Sequence, residues 1–247
     1  MKPIDSEQLY NDPLDYDAFN SFDHDFNFWL EYAKGSVLDL ACGTGRITIP
    51  LAEKGIKTTG VDISDNMLKR AKGKAKLKNL NIDLIKGDFR TLELNQKFET
   101  IICTYNAFQH LLDLESLQAF FRVIKDHLQP NGKFIFDIFN PDLKYLLNDG
   151  KVHPVGEYDN PHDLSQKVIL TEVRNYDKSC QIYNDVWKYS INGKTHSVPL
   201  NLRIFFPAEI DNYLLMNGFE IIHKYGSFNK DPFTSDSKKQ IIVCRIK

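Results

Sequence analysis

A chain of 247 residues, 42% hydrophobic and 26% charged, is long enough to bury a large core and has the balance of an ordinary soluble globular protein. Its formal net charge of −2 argues against a polyanion-binding surface, so nucleic acid is not an expected partner. Met1-Lys2-Pro3-Ile4-Asp5-Ser6-Glu7 lacks the apolar core of a signal peptide and no run approaches a membrane span, while Cys42, Cys103, Cys180 and Cys244 form no C-x-x-C pair; a cytoplasmic chain with free thiols is expected.

Residues 1–34 are polar and rich in aromatics, and from Tyr16 onward the apolar positions recur at spacings of three and four. That period predicts one or two amphipathic helices forming an N-terminal cap. From residue 35 strand and helix alternate. Val37–Leu40 reads as a strand, Ile47–Lys54 as a helix closed by Gly55, and Lys57–Val61 as the second strand. A helix follows from Ser64, a natural N-cap. Ile82–Lys86 and Phe98–Thr104 read as strands three and four, and Leu114–Leu128 as a strongly amphipathic helix. Pro130-Asn131-Gly132 reads as a turn feeding a fifth strand, Lys133–Phe139. Alternation with short connections predicts a parallel sheet covered on both faces.

After Pro141 the pattern changes. Lys167–Tyr176, Cys180–Ile191 and Lys194–Phe206 alternate in polarity, and Asn192-Gly193 is a two-residue hairpin signal. Antiparallel strands of this kind suit a sheet that covers something on one face. Helix 207–217, a strand at Phe219–Tyr225 and an antiparallel partner at Gln240–Ile246 close the chain. One domain over 1–247 is expected, divided into a helical cap at 1–34, a core at 35–140, an inserted antiparallel lid at 150–206, and a final helix and β hairpin at 207–247.

The candidate site residues lie at the carboxyl ends of the predicted strands, where open α/β sheets bind ligands. Val37-Leu38-Asp39-Leu40-Ala41-Cys42-Gly43-Thr44-Gly45-Arg46 is a strand, a glycine turn and a helix start. Such a unit sets free N–H groups beside a ligand. A dinucleotide fingerprint needs a third glycine where Thr48 stands, which weakens that reading. Asp62 ends the second strand, where a carboxylate can accept from both hydroxyls of a ribose; capping the next helix is the plainer alternative. Asp88 and Phe89 end the third strand and complete a nucleoside pocket.

The segments V-L-D-L-A-C-G-T-G-R, G-V-D-I-S-D-N-M-L and G-D-F resemble class I S-adenosylmethionine-dependent methyltransferases, in the same order at the same strand ends, over most of residues 35–140. Asn217-Gly218-Phe219-Glu220, the closing hairpin and the stretch from Gly226 to Ser237 are also similar to such enzymes. The resemblance implies a doubly wound, mostly parallel seven-stranded, Rossmann-like α/β sheet whose seventh strand runs antiparallel between the fifth and sixth. It implies S-adenosylmethionine as cofactor, S-adenosylhomocysteine as product and no metal. Gly43 and Gly45 would let the loop touch the methionine moiety, with the Ala41 carbonyl near its ammonium and Asp39 supporting the loop or reaching that ammonium through water. Asp62 would take the ribose, Ile63 and Met67 the adenine faces, and Asp88 and Phe89 its polar edge. Tyr105 would lie against the methionine portion, Tyr16 would close over the cofactor, and Arg46 would approach its carboxylate.

A sulfonium-activated methyl group needs alignment more than acid–base help. His110 is the candidate base, with a structural histidine as the equal alternative; Tyr105 or the N-terminal tyrosines face the acceptor instead of, or beside, it. Thr104-Tyr105-Asn106-Ala107 lacks the prolines of a base-methylating Asn-Pro-Pro-Tyr segment, and Asp137 with Asn140 is too thin for a metal site. The expected reaction is methyl transfer to a nitrogen or oxygen of a small-molecule acceptor, by a monomer or homodimer that uses no membrane. A protein or RNA methyltransferase and a non-catalytic S-adenosylmethionine-binding protein are the alternatives. Tyr176, Tyr183, Trp187, Tyr189 and Arg203 either line the pocket under the lid or form the lid's own core.

Overall fold

The computed structural model describes residues 10–147 and 150–247, so the part of the expected cap at 1–9 lies outside the described residues. The chain runs α1 (Pro13–Phe19), α2 (Phe26–Tyr32), β1 (Ser36–Leu40), α3 (Thr48–Glu53), β2 (Lys57–Asp62), α4 (Asp65–Leu77), β3 (Asp83–Lys86), β4 (Phe98–Cys103), α5 (Leu114–His127) and β5 (Leu128–Phe139). It continues through β6 (Val152–Asp159), β7 (Lys167–Val173), β8 (Tyr176–Asp177), β9 (Ile182–Ile191), β10 (Lys194–Arg203), α6 (Pro207–Met216), β11 (Phe219–Tyr225) and β12 (Lys239–Ile246).

Seven strands form one sheet in the order β11-β12-β5-β4-β1-β2-β3. The central pairings are parallel, and β12 inserts antiparallel between β5 and β11. Side chains of a strand alternate between faces, and here both faces are buried. Leu38, Leu40, Ile101, Phe134 and Phe136 pack with Phe120, Phe121, Ile210 and Leu214, so α5 and α6 cover one face. Val37, Ile102, Ile135, Ile241 and Val243 pack with Phe28, Trp29 and Leu51, so α2 and α3 cover the other. Helix starts follow local chemistry: Asp12 accepts from Leu14 N–H and Asp15 N–H ahead of Pro13, Ser64 accepts from Met67 N–H, and Asp113 accepts from Ser116 N–H.

The stretch expected to be a turn at 130–132 is instead part of β5. Asn131 takes φ 65°, and the pairing with β4 shifts register between Phe98 and Thr100. A bulge absorbs the Pro-Asn-Gly and lets the strand begin at Leu128.

The second sheet is antiparallel, in the order β10-β9-β7-β6, with β8 paired to β9. Asn192 and Gly193 take φ 48° and 77° between Ile191 and Lys194, the left-handed pair that a two-residue hairpin needs. Strand β6 was not legible, because Pro154 and Gly156 interrupt its pattern; it lies at the edge of the sheet and shifts register between those two residues. Gly156 has a packing reason: a Cβ there would lie 3.2 Å from the Phe19 ring of α1. Gln109 Nε2 donates to the Arg203 carbonyl at 2.9 Å and Gln240 Nε2 to the Phe205 carbonyl at 2.9 Å, which fastens the exit of this sheet to the main one.

Gly45 shows how the first loop is held on α3. Its φ is +80°, and a Cβ there would sit 2.7 Å from Ile49 Cδ1. Gly45→Ala is expected to cost about 2 kcal/mol, combining left-handed strain with overpacking. A lowered urea midpoint at constant m-value checks this; an unchanged midpoint would refute it.

Candidate active site

A cavity of about 870 Å³ opens at the carboxyl ends of β1, β2 and β4, under the second sheet and beside α1. Its floor begins with the loop after β1. Ala41 and Gly43 both take positive φ, 60° and 55°, and both border the cavity. A Cβ on Gly43 would meet nothing nearer than the Tyr16 ring at 4.0 Å, so the space above the loop belongs to whatever binds there. Cys42 N–H donates to the Val61 carbonyl at 2.9 Å, which carries the pairing of β1 with β2 one residue past the strand.

Asp62 closes this floor. Its Oδ2 accepts from Gly43 N–H at 2.7 Å and its Oδ1 from Ser64 N–H at 2.8 Å. Burial raises the carboxyl from its ordinary range, while the N–H groups of Ser64 and Gly43 oppose the rise. The carboxylate therefore braces the loop and caps the turn into α4 while bordering the cavity. Ile63 and Met67 continue that wall.

The N-terminal cap supplies a second wall. Arg46 pairs with Asp25 through two bonds of 2.7 and 2.8 Å. Its guanidinium lies 4.5 Å over the Phe22 ring and 5.5 Å over the Tyr105 ring. Tyr105 takes φ 57°. Its N–H donates to Asp137 Oδ1 and its hydroxyl to Asn20 Oδ1, each at 2.6 Å, and burial lifts that hydroxyl to about 12. Tyr16 borders the cavity, its hydroxyl also raised by burial. His110 Nε2 lies 2.8 Å from the Tyr10 hydroxyl, and burial pulls the imidazole down to about 4, so the ring is neutral near pH 7. Tyr10 and Asn20 carry no motif; only the chain's return across the strand ends reveals them.

The roof comes from the second sheet. Tyr183, Asp185, Trp187 and Tyr189 of β9, Glu172 of β7, and His196, Val198 and Leu200 of β10 all border the cavity. Strand period and antiparallel register place them on one face. Of the residues expected either to line the pocket or to form the lid's core, Tyr183, Trp187 and Tyr189 line it. Tyr176 instead packs with Ile204 and Leu146, and Arg203 bonds Glu209 Oε1 and Tyr213 Oη at 3.0 Å each, at the joint with α6.

The cavity thus brings together Tyr16, Ala41, Gly43, Arg46, Asp62, Ile63, Met67, Phe89, Tyr105 and His110. Three expected residues do not line it. Asp88 is held by Arg90, whose Nη2 donates to its Oδ2 at 2.6 Å. Gly45 gives way to Ile49 rather than to a ligand. Asp39 is 1% exposed; its Oδ2 accepts from Thr48 Oγ1 at 2.6 Å, while its Oδ1 has no partner among the described residues. Phe89 borders the cavity but also sets its ring edge-on to Phe120 at 5.2 Å, in the core. Asp137 is matched by Lys239 and Tyr105 N–H.

The family model described as "Methyltransferase domain" matches residues 37–132. A cypemycin N-terminal methyltransferase of Streptomyces sp is 26% identical over 210 residues, covering 84% of this chain and 82% of the relative. The chain spans about half the length of several other curated methyltransferases that it matches. Among solved structures, the CcbJ methyltransferase of Streptomyces caelestis superposes with a TM-score of 0.81 at 25% identity, covering 93% of this chain and 95% of that one. A S-adenosylmethionine-dependent methyltransferase of Clostridium acetobutylicum gives 0.77 at 22% identity, covering 94% and 96%. No helix among the described residues is long and apolar enough to cross a membrane.

Burial lifts the Asp39 carboxyl to about 7, against about 3.9 for an unperturbed aspartate. Because the folded value is the higher one, the fold favours the protonated form. Asp39 therefore contributes stability that is complete below about pH 4 and lost as pH rises through about 7, on the order of 4 kcal/mol at most. Asp39→Asn should flatten that part of the stability–pH curve; denaturant titrations that keep the native slope would refute the assignment.

Proposed function

We propose, from the premise that this chain is a class I S-adenosylmethionine-dependent methyltransferase, that it carries a methyl group to a nitrogen or oxygen of a small acceptor held under the second sheet. The observation that carries this reading is the continuity of one cavity from the glycine loop to the inner face of that sheet. A macromolecular acceptor would call for an open groove, and a mere binding module would need no room beyond the cofactor. The relatives include an N-terminal methyltransferase and ubiquinone biosynthesis O-methyltransferases, so the reading keeps both nitrogen and oxygen acceptors.

S-adenosylmethionine, when bound, supplies a methyl group already activated by its sulfonium. The residues present fit it. The open space over Gly43, the backbone at Ala41 and the carboxylate of Asp62 would take its polar parts, and Ile63, Met67 and Phe89 its ring. Tyr16 and Tyr105 border the same space and would exclude water from it, which strengthens electrostatic interactions inside. His110 is neutral at working pH and its Nε2 is bonded to Tyr10, so it is fit to orient an incoming nucleophile rather than to deprotonate it. Alignment of donor and acceptor is the larger contribution, worth about 7–11 kcal/mol when the approach is near-linear and close.

Calorimetry with S-adenosylhomocysteine is expected to show saturable binding, and Asp62→Ala to weaken it by at least about 100-fold, the loss of two charge-assisted bonds of about 1.5–3 kcal/mol each. Unchanged affinity in the variant would remove Asp62 from the ribose role. A methyl-release screen against small amines and phenols reads out turnover; release only with peptide or RNA substrates would overturn the small-acceptor reading.

A further inference from the structure

The second sheet carries two buried carboxyl groups that positioning the methyl donor does not use. Glu172 and Asp185 are 3% and 1% exposed, and both border the cavity. Buried acids need partners. Glu172 Oε1 accepts from Arg174 Nε at 2.6 Å and from the Tyr145 hydroxyl at 2.8 Å. Among the described residues Asp185 accepts from Val186 N–H at 2.8 Å and Trp187 Nε1 at 3.1 Å, and it shares a side-chain hydrogen bond with Glu172. Arg174 is paired with Glu172, so among the described residues no salt bridge reaches Asp185.

A separate observation points to a guest. Tyr183 is 3% exposed and borders the cavity beside the pair. Its hydroxyl makes no hydrogen bond of ordinary geometry among the described residues; it neighbours the Tyr145 hydroxyl, which is given to Glu172. A buried unmet hydroxyl costs about 1–3 kcal/mol, so a bound donor there is stabilising. The surrounding surface is aromatic: Tyr145 stacks on Tyr183 at 5.8 Å, and Trp187 lies next on the same face. Acids, rings and an open acceptor oxygen with one counter-ion too few describe a site for an organic cation.

We propose that Glu172 and Asp185 anchor a protonated amine of the acceptor, with the Tyr183 hydroxyl taking one of its N–H bonds. The inference rests on the small-acceptor reading above and adds a substrate class, amine-bearing metabolites bound as ammonium ions. The anchored nitrogen has no lone pair while it is held, so the pair is assigned to binding and orientation. Proton linkage follows from the setting. Burial, then Glu172, lift the Asp185 carboxyl to about 8, so near pH 7 it holds a proton that an arriving cation displaces. The groups around it are Glu172 from β7, with Arg174 bonded to that acid, Tyr145 from the β5–β6 connection, Tyr183 and Trp187 on its own strand, and the apolar Leu200 opposite on β10; Asp142 and Lys238 also border the cavity.

The test uses matched probes, 2-phenylethylamine and 2-phenylethanol among other amine–alcohol pairs, titrated by calorimetry near pH 7 with S-adenosylhomocysteine saturating. Amines are expected to bind at least about tenfold more tightly than their alcohols, and to release a proton, seen as a heat that varies with buffer ionisation enthalpy. Glu172→Gln with Asp185→Asn should erase the preference and leave the S-adenosylhomocysteine affinity within about twofold. Alcohols binding as well as amines in the native protein overturn the proposal without any variant, as does a preference that survives the double substitution. Failure of S-adenosylhomocysteine itself to bind would overturn the methyltransferase reading of the cavity instead, so the two failures are told apart.

Discussion

Two backbone N–H groups from different segments converge on the carboxylate of Asp62, and the floor of the cavity hangs from that convergence. β1 and β2 are parallel neighbours, so their chains leave the sheet side by side and must diverge at once into α3 and α4. The loop after β1 holds three residues with positive φ, Ala41, Gly43 and Gly45. Such a run is unfavourable for an isolated chain and persists only where surroundings over-determine it. Asp62 supplies part of that constraint from the adjacent strand, and Gly45 against Ile49 supplies the rest from the helix. The side chain that braces the loop thus also faces the ligand space, and its neutralisation would slacken both.

Of the cap, α2 packs Phe28 and Trp29 into the core beside Ile47 and Leu51, whereas α1 buries no residue fully and is fastened to this loop by polar contacts. Asp17 of α1 accepts from Thr44 Oγ1 at 2.6 Å, Arg70 at 2.8 Å and Lys74 at 3.0 Å, joining the loop to α4. Arg46 and Asp25 are 14% and 2% exposed at their side chains. At that depth desolvation offsets much of the attraction, so the pair contributes specificity of docking more than net stability. Removing one partner alone would leave a buried charge and loosen Phe22 and Tyr105 together, since the guanidinium lies against both rings. The cap and the segment after β4 therefore move, or hold, as one wall.

How much of this was legible depends on the range of the interaction. The main sheet was readable because strands buried on both faces write near-continuous apolar runs, as in Val37–Leu40 and Phe98–Cys103, and because Ser64 and Asp113 mark helix starts by local chemistry. Asp62 was readable because position at a strand end defines it. Asp88 sits at an equivalent place, but Arg90 two residues on captures it; the sequence Gly-Asp-Phe-Arg shows both residues and not which way they turn. The inner face of the second sheet was half legible. Alternation places Tyr183, Asp185, Trp187 and Tyr189 together, yet a period of two never says which side faces water, and acids at alternate positions read by default as solvated. Tyr10, Asn20 and Tyr145 enter the site only through contacts between distant segments, for which no local pattern exists.

Burial gives the cavity a common electrostatic character. It holds His110 neutral by pulling it down to about 4, keeps Asp185 protonated near pH 7 by lifting it to about 8, and raises Tyr16 and Tyr105. Arg46 is matched by Asp25, Arg174 by Glu172 and Lys239 by Asp137. A chamber of this kind repels isolated charge but rewards a cation that finds an acid whose proton it can replace. Methyl transfer from a sulfonium to a neutral nucleophile creates no new net charge, and a low-dielectric enclosure does not penalise it as it would the separation of ions. The same desolvation that silences the ionisable walls thus suits both the reaction and the entry of an organic cation at Glu172 and Asp185.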